Sequence, residues 1–183
     1  NIFFGILGKS GSGKSTLLNL ICGLITPQDG KILYQNQNIS KFKNVWKKKI
    51  GYVPQEVKLF DDTILNNITM YEDKYLDISS INSLLDVLNL KDFVNKLPKK
   101  LDTNLGSDGV ELSVGQKQRI GIVRALIRDP EIIILDESTN SLDKKTEEEI
   151  INFMQILKKD KTIIFVTHDQ QLSKICDEVI NLD

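Results

Sequence analysis

Short apolar runs alternate with longer amphipathic stretches along most of this chain. The runs Ile132–Leu135 and Ile163–Val166 are apolar at every position, which is typical of strands covered on both faces of a sheet. Between such runs, apolar residues recur at helical spacing, as they do from Ile150 to Leu157. This alternation predicts an α/β fold built on a mostly parallel sheet.

The same pattern predicts individual strands and helices. The predicted strands are Ile2–Leu7, Lys31–Tyr34, Ile50–Val53, Ile132–Asp136, Thr162–Thr167 and Glu178–Leu182. The predicted helices are Ser15–Cys22, Ile78–Leu88, Val114–Arg128 and Lys144–Lys159. Because the stretch from Glu56 to Gly109 shows helical patterns and few strands, we expect a helical insertion into the sheet.

Composition and charge narrow the function classes. A chain of 183 residues with 40% hydrophobic residues can form one globular domain with a sizeable core. Its 24 basic and 25 acidic residues nearly balance, so we expect no nucleic-acid partner. Its longest unbroken aliphatic run, Ile132–Leu135, is too short to cross a bilayer. Cys22 and Cys176 lack the spacing of a metal site, and we expect them to be buried thiols in a reducing compartment.

A glycine-rich segment with the pattern G-x-x-x-x-G-K-[ST] lies between the first predicted strand and the first predicted helix, which is the context of a phosphate-binding loop. Its glycines let the backbone curl around an anion, and the helix N-terminus adds positive charge. We expect Lys14 to reach the β- and γ-phosphates and the Ser15 hydroxyl to coordinate Mg²⁺. A simple turn would explain the glycines but not the Lys-Ser pair at a fixed offset. The predicted phosphate-binding residues are Gly8, Lys9, Ser10, Gly11, Ser12, Gly13, Lys14, Ser15 and Thr16.

Two carboxylates, Asp136 and Glu137, end the apolar run that starts at Ile132. In open α/β sheets, ligands bind at the carboxyl ends of the strands, where the phosphate-binding loop also lies. We therefore expect Asp136 to hold Mg²⁺ and Glu137 to polarise the attacking water as a general base. The alternative is that these acidic residues merely end a strand, and the neighbouring phosphate loop makes that alternative weaker.

The segment Leu112–Gln116 begins a predicted helix with a capping box, in which Ser113 is the N-cap and Gln116 the third helical position. A local role in starting the helix is the plain interpretation. The segment also supplies a second helix N-terminus that suits an anion. Its sequence resembles the LSGGQ signature of the ATP-binding cassette (ABC) family.

Other landmarks of the ABC family occur in the family's order. Tyr52–Gln55 resembles the Q-loop, Asn140–Asp143 the D-loop, and Val166–Asp169 the segment that carries the switch histidine, here His168. The resemblance covers nearly the whole chain. It implies a RecA-like P-loop NTPase fold, with a core made of residues 1–55 and 126–183 and a helical subdomain of about residues 56–125 that contains the signature.

The resemblance also implies roles for individual residues. It implies that Gln55 is a catalytic residue near Mg²⁺, and that His168 is a catalytic residue that orients the γ-phosphate and the attacking water. In the family, two domains bind head to tail and enclose two ATP molecules. The signature residues Ser113, Gly115 and Gln116 would then face the phosphate loop of the partner domain. Asp143 of the D-loop is a further residue that the resemblance assigns to nucleotide binding.

The sequence departs from the family pattern at several points. Val114 stands where the signature usually has glycine, and Ser107 where exporters usually have an acidic residue before the signature. No aromatic residue can be assigned to the loop that stacks on adenine. The first strands of the family's small antiparallel sheet are largely missing, so we expect a fragment truncated at both ends.

The function implied by the resemblance is ATP binding and hydrolysis that drive a transporter. The stretch from Gln55 to Ile68 resembles exporters, so we expect export or flipping through transmembrane segments on the same chain. The location implied is the cytoplasmic face of a bacterial plasma membrane. Three alternatives stay open: the ATPase of an importer, a non-transport ABC ATPase acting on DNA or ribosomes, and a nucleotide-binding regulator without turnover.

Overall fold

A five-stranded parallel sheet forms the centre of the computed structural model, which describes residues 1–72, 77–106, 109–139, 142–169 and 173–183. The strands are β1 (Phe3–Leu7), β2 (Leu33–Tyr34), β3 (Gln37–Asn38), β4 (Ile50–Val53), β5 (Ile132–Asp136), β6 (Thr162–Thr167) and β7 (Glu178–Asn181). The α-helices are α1 (Lys14–Ile21), α2 (Lys43–Lys48), α3 (Ile64–Thr69), α4 (Ile78–Val87), α5 (Lys91–Lys96), α6 (Val114–Leu126) and α7 (Lys144–Leu157). Short 3₁₀ turns occupy Ile39–Lys41 and Lys100–Asp102.

The strand order in the sheet is β4-β5-β6-β1-β7, and every neighbouring pair is parallel. Leu7 pairs with Thr167, and Asp136 pairs with Val166, so β1, β5 and β6 end at the same edge of the sheet. The prediction of an α/β fold with a mostly parallel sheet is confirmed. This topology brings the loops that follow the three strands together, as expected for an open parallel sheet.

The predicted elements of the sheet match the structure to within two residues at each end, but the hairpin was not predicted. Instead of a strand over Lys31–Tyr34, only Leu33–Tyr34 pairs, and its partner is the two-residue strand β3. The turn between them uses Gln35 and Asn36 at positive φ of 49° and 61°. Helices α2, α3 and α5 were not located either, because a helix of six residues is too short to show a clear apolar period.

Apolar side chains on the two faces of the sheet form two core clusters. The smaller cluster joins the sheet to α1 through Leu18 and Cys22. The larger cluster joins the opposite face to α7 and to the helical stretch from α3 to α6, and its fully buried members include Phe3, Ile64, Ile81, Leu85, Ile120, Ile122, Ile133, Met154 and Phe165. Burial of each such side chain stabilises the fold by roughly 1.5–3 kcal/mol. The helical stretch is therefore packed directly on the sheet that carries the site.

Both cysteines are free thiols. Cys22 is buried, as predicted, and Cys176 is half-buried. Burial raises the pKa of each thiol to about 11, so both are protonated and poorly reactive near neutral pH. Within the described residues, none of the helices combines the length and apolar character needed to span a bilayer.

Candidate functional site

The loop between β1 and α1 has a backbone that favours glycine at two positions. Gly11 and Gly13 have φ of 86° and 96°, and Gly13 is the N-cap of α1. A Cβ atom added at either position would meet no heavy atom within 4 Å, so backbone conformation rather than crowding selects glycine there. The loop therefore holds the conformation that the phosphate-binding pattern predicts, directly at a helix N-terminus.

Lys14 begins α1 and is buried, with an exposed fraction of 7%. Its Nζ donates hydrogen bonds to the carbonyl oxygens of Gly8 at 2.6 Å and Lys9 at 2.9 Å, so the loop wraps around the ammonium group. The same Nζ lies 3.4 Å from Oε1 of Glu137. A positive charge is thus fixed at the centre of the loop, where an anionic ligand would meet it.

Glu137 brings together residues from three loops at the edge of the sheet. It follows β5 at a positive φ of 45°, an uncommon backbone conformation for a non-glycine residue. Besides Lys14, its carboxylate contacts His168, whose Nδ1 lies 3.5 Å from Oε2, and Gln55, whose Nε2 lies 3.5 Å from the same oxygen. The structure therefore assembles the predicted base, the predicted switch histidine and the Q-loop glutamine.

Asp136 is held by Tyr52, the first residue of the predicted Q-loop, to which the sequence pattern assigns no role. The hydroxyl of Tyr52 in β4 donates a 2.7 Å hydrogen bond to Oδ2 of Asp136. Burial raises the pKa of Asp136, and the hydrogen bond from Tyr52 opposes that rise. The charge of Glu137 raises this pKa further, whereas the charge of Lys14 lowers it. Burial and the bond to Asp136 raise the pKa of Tyr52. The position of Tyr52 in a predicted strand could point to a contact with Asp136 only if that strand were known to pair with β5 in this register.

An open cavity of about 760 Å³ covers this edge of the sheet. It is lined by residues of the phosphate loop, the Q-loop, the end of β5 and the end of β6: Lys9, Ser10, Gly11, Gly13, Lys14, Ser15, Thr16, Gln55, Asp136, Glu137 and His168. Gly8 and Ser12 belong to the same loop but are not among the described residues that line the cavity, and a Cβ atom added at Gly8 would lie 2.3 Å from the Ser12 hydroxyl oxygen. The structure thus places the predicted residues of this group together, while their roles stay predictions.

The oxygen atoms at the cavity suit Mg²⁺. This ion prefers oxygen ligands and is usually held by one or two protein groups together with phosphates. Ser15 offers a hydroxyl, Asp136 a carboxylate and Gln55 an amide oxygen, and all three line the same cavity as Lys14. The residues therefore fit a nucleotide phosphate chain with its magnesium ion.

The signature residues lie apart from this cavity. Ser113 caps α6, accepting a bond from the Gln116 N–H at 3.2 Å, and the Gln116 side chain accepts one from the Ser113 N–H at 2.9 Å. The predicted capping box is confirmed. Val114, which replaces the family's glycine, is 57% exposed at this helix start. Neither Ser113, Gly115 nor Gln116 is among the described residues that line the phosphate-loop cavity.

Asp143 is likewise a helix N-cap in the structure. Its carboxylate accepts bonds from the backbone N–H of Thr146 at 3.0 Å and from the Thr146 hydroxyl at 2.7 Å, which lower the pKa of Asp143. It is absent from the described lining of the cavity. Asn140 and Ser141 of the predicted D-loop, and Ser107, lie outside the described residues.

Comparisons with known proteins agree with this geometry. The chain is 40% identical over its whole length to an export ATP-binding/permease protein of Rickettsia typhi, of which it covers 32%. It is 38% identical over 97% of its length to an ATP-dependent lipid A-core flippase of Idiomarina loihiensis, of which it covers 31%. A solved structure of a bacterial Atm1-family ABC exporter with ATP bound matches all of this chain with a TM-score of 0.90 and 33% identity, over 32% of that chain.

The chain thus spans about a third of the length of these relatives. The sequence profile described as ABC transporter matches residues 3–140, which contain the phosphate loop, the Q-loop, the signature and both carboxylates. The chain belongs to the ABC transporter family.

Proposed function

We propose that this chain is the ATP-hydrolysing domain of an exporter or flippase and works as a head-to-tail dimer. The observation that carries the proposal is the convergence of Lys14, Glu137, His168 and Gln55 at one edge of the parallel sheet, beside the phosphate-binding loop. Hydrolysis of a phosphoanhydride needs phosphate binding, a metal site and a base within one small volume, and the residues that line this cavity would supply all three.

The phosphate loop binds the substrate in this proposal. Its backbone N–H groups and the α1 N-terminus attract the phosphates of ATP, and Lys14 donates hydrogen bonds to them. Ser15, Asp136 and Gln55 would hold Mg²⁺, which neutralises charge on the phosphate oxygens. In this structure Lys14 contacts Glu137 and the carbonyl oxygens of Gly8 and Lys9. When ATP binds, phosphate oxygens would replace some of these partners.

Glu137 is the proposed general base. When Lys14 turns to the phosphates, the carboxylate keeps His168 and Gln55 as neighbours at 3.5 Å and can accept a proton from the attacking water. His168 then orients that water and the γ-phosphate. His168 follows β6 and Gln55 follows β4, the two strands that flank β5, so small movements of the Q-loop can open or close the site.

A second copy of the domain supplies the remaining contacts. The N-terminus of α6 carries the Ser113 hydroxyl and the Gly115 N–H, and no described residue of this segment reaches the phosphate cavity of its own chain. Placed against the γ-phosphate of a partner, this helix start would neutralise charge from the opposite side. Gln116 supports the cap, and Asp143 fixes the start of α7 close to the same interface.

The rest of the transporter lies outside this chain in the proposal. The relatives are about three times longer, and their names describe permease, flippase or exporter proteins. Transmembrane segments of one longer polypeptide would therefore hold this domain at the cytoplasmic face of a membrane. Within the domain, residues 1–55 and 126–183 would form the RecA-like core, and residues of about 56–125 the helical subdomain that transmits movement.

The experiment that tests the ATPase is the rate of phosphate release as a function of chain concentration, for the parent and for Glu137→Gln. We expect the parent rate to rise faster than linearly with concentration, because each site needs two copies. We expect Glu137→Gln to bind ATP and to lose at least ~10²-fold in turnover, the lower limit for general-base catalysis. Glu131→Gln is the matched control, since Glu131 lies just before the opposite end of β5, and it should keep parental turnover.

Two results would contradict the proposal. If Glu137→Gln hydrolyses ATP at the parental rate, Glu137 is not the general base. If the parent rate is strictly proportional to concentration over a range in which light scattering shows a monomer, the ATP site is not shared between two copies.

A further inference from the structure

The pairing of β4 with β5 brings Tyr52 beside Asp136. Tyr52 is in register with Ile134, and Asp136 lies two residues further along β5. In strands, residues i and i+2 face the same side, about 6.6 Å apart at roughly 3.3 Å per residue. A tyrosine side chain is long enough to cover this offset, and its hydroxyl lies 2.7 Å from Oδ2 of Asp136.

This hydrogen bond restricts a side chain that would otherwise rotate. The terminal torsion of aspartate is broad, so the two carboxylate oxygens exchange places easily without a partner. Among the described residues, Tyr52 is the hydrogen-bond donor to the Asp136 side chain. Binding of Oδ2 leaves Oδ1 free to face another ligand.

The two adjacent carboxylates of the site therefore have separate partners. Glu137 contacts Lys14, His168 and Gln55, whereas Asp136 is held by Tyr52 from the neighbouring strand. The residues that line the cavity fit Mg²⁺, and Asp136 is the carboxylate assigned to that ion. A group that fixes this carboxylate acts on the metal site without touching the phosphates.

We propose that Tyr52 is a positioning residue, whose hydroxyl holds the Asp136 carboxylate in the orientation that receives the magnesium ion of the bound nucleotide. The inference rests on the proposed function, because it needs a metal–nucleotide site at this cavity. It assigns Tyr52 an effect on metal affinity that is separate from nucleotide affinity. The backbone of β4 brings the Q-loop to the site, and the same strand thereby also orients the metal ligand.

A purely structural role of the hydroxyl makes a different prediction. Tyr52 is on an edge strand of the sheet and is 40% exposed, so loss of one oxygen atom leaves the core intact. The chain contains a matched case: the hydroxyl of Tyr34 also donates to a carboxylate, that of Glu131, and it lies outside the cavity lining. If such bonds served stability alone, removal of either hydroxyl would have the same effect on metal binding.

The experiment titrates Mn²⁺, as a probe for Mg²⁺, into the chain saturated with the non-hydrolysable ATP analogue AMP-PNP. Free Mn²⁺ is followed by electron paramagnetic resonance for the parent, Tyr52→Phe and Tyr34→Phe, each compared with a chain-free solution of AMP-PNP, because the nucleotide itself binds Mn²⁺. We expect Tyr52→Phe to bind Mn²⁺ about 10-fold more weakly, the lower end of the effect of removing a partner of a metal ligand. Tyr34→Phe should stay within about twofold of the parent by the same reasoning.

Nucleotide affinity measured in EDTA separates metal binding from folding. We expect AMP-PNP to bind both variants as it binds the parent in EDTA, which also shows that the loop is folded. Tyr52→Leu is a second variant that also removes the ring, and it should show at least the same loss of Mn²⁺ affinity.

Two outcomes overturn the assignment of Tyr52 alone: parental Mn²⁺ affinity in Tyr52→Phe, or an equal loss in Tyr34→Phe. A parent that binds no Mn²⁺ in the presence of AMP-PNP overturns the proposed function, and this inference with it. A loss in Tyr52→Phe that is confined to Mn²⁺ supports the positioning role.

Discussion

Replacement of Lys14 by alanine should abolish most of the nucleotide affinity of this chain. In the structure, the Lys14 ammonium is buried, and it donates two charge-assisted hydrogen bonds, to the carbonyl oxygens of Gly8 and Lys9. A hydrogen bond to a charged group is worth about 1.5–3 kcal/mol. If the ammonium makes even one such bond to a phosphate, its loss weakens binding by roughly 10- to 100-fold.

Lys58→Ala is the control outside the site. The Lys58 side chain is 78% exposed, pairs with Glu56 and is absent from the described lining of the phosphate-loop cavity, so its removal should change ATP affinity by less than about threefold. The assay is the fluorescence anisotropy of a labelled ATP titrated with each chain, with far-UV circular dichroism to check folding. A folded Lys14→Ala chain with an affinity within twofold of the parent would refute the assignment of this loop as the phosphate site.

Two further predictions concern the loop backbone and a helix cap. Gly13→Ala should lower the free energy of unfolding, measured in urea, by about 1–2 kcal/mol, because the φ of Gly13 is 96°. Gly115→Ala is the control and should be at least as stable as the parent, because Gly115 is helical and a Cβ atom there would meet no atom closer than 3.7 Å. Since hydrogen bonds lower the pKa of Asp143, its charged form stabilises the fold above the ordinary pKa near 4, and this stabilisation is lost as pH falls through the lowered value. The free energy of unfolding of Asp143→Asn should therefore fall less than that of the parent between pH 5 and 2. An equal fall in both proteins would contradict this prediction.

Local sequence determined several features of this protein without help from the rest of the chain. The capping box of Ser113 and Gln116 is made by residues three positions apart, so the pattern alone predicts the start of α6. The glycines of the phosphate loop are needed for the backbone conformation of the loop itself. The apolar run Ile132–Leu135 predicts a strand covered on both faces, and the structure buries it between two layers of helices.

Local sequence does not indicate the shortest helices, because their positions depend on packing. Helix α2 has six residues and is fixed by Trp46, whose Nε1 donates to the carbonyl oxygen of Ile21 at 2.7 Å and whose ring packs on Tyr34. Neither partner is near Trp46 in sequence. A period of 3.6 residues cannot be recognised over six positions, so no local pattern indicates this helix.

Only the tertiary structure decided which functional side chains touch each other. The motifs predict that Lys14, Glu137 and His168 follow strands of one sheet, but their contacts depend on the order β5-β6-β1. The bond from Tyr52 to Asp136 depends further on the register of β4 against β5, where a shift of one residue would turn the ring to the other face. Local propensity and periodicity describe a few neighbouring residues, whereas strand order and register are set by the packing of the whole core. For this reason the sequence revealed the groups of the site, and the fold alone arranged them.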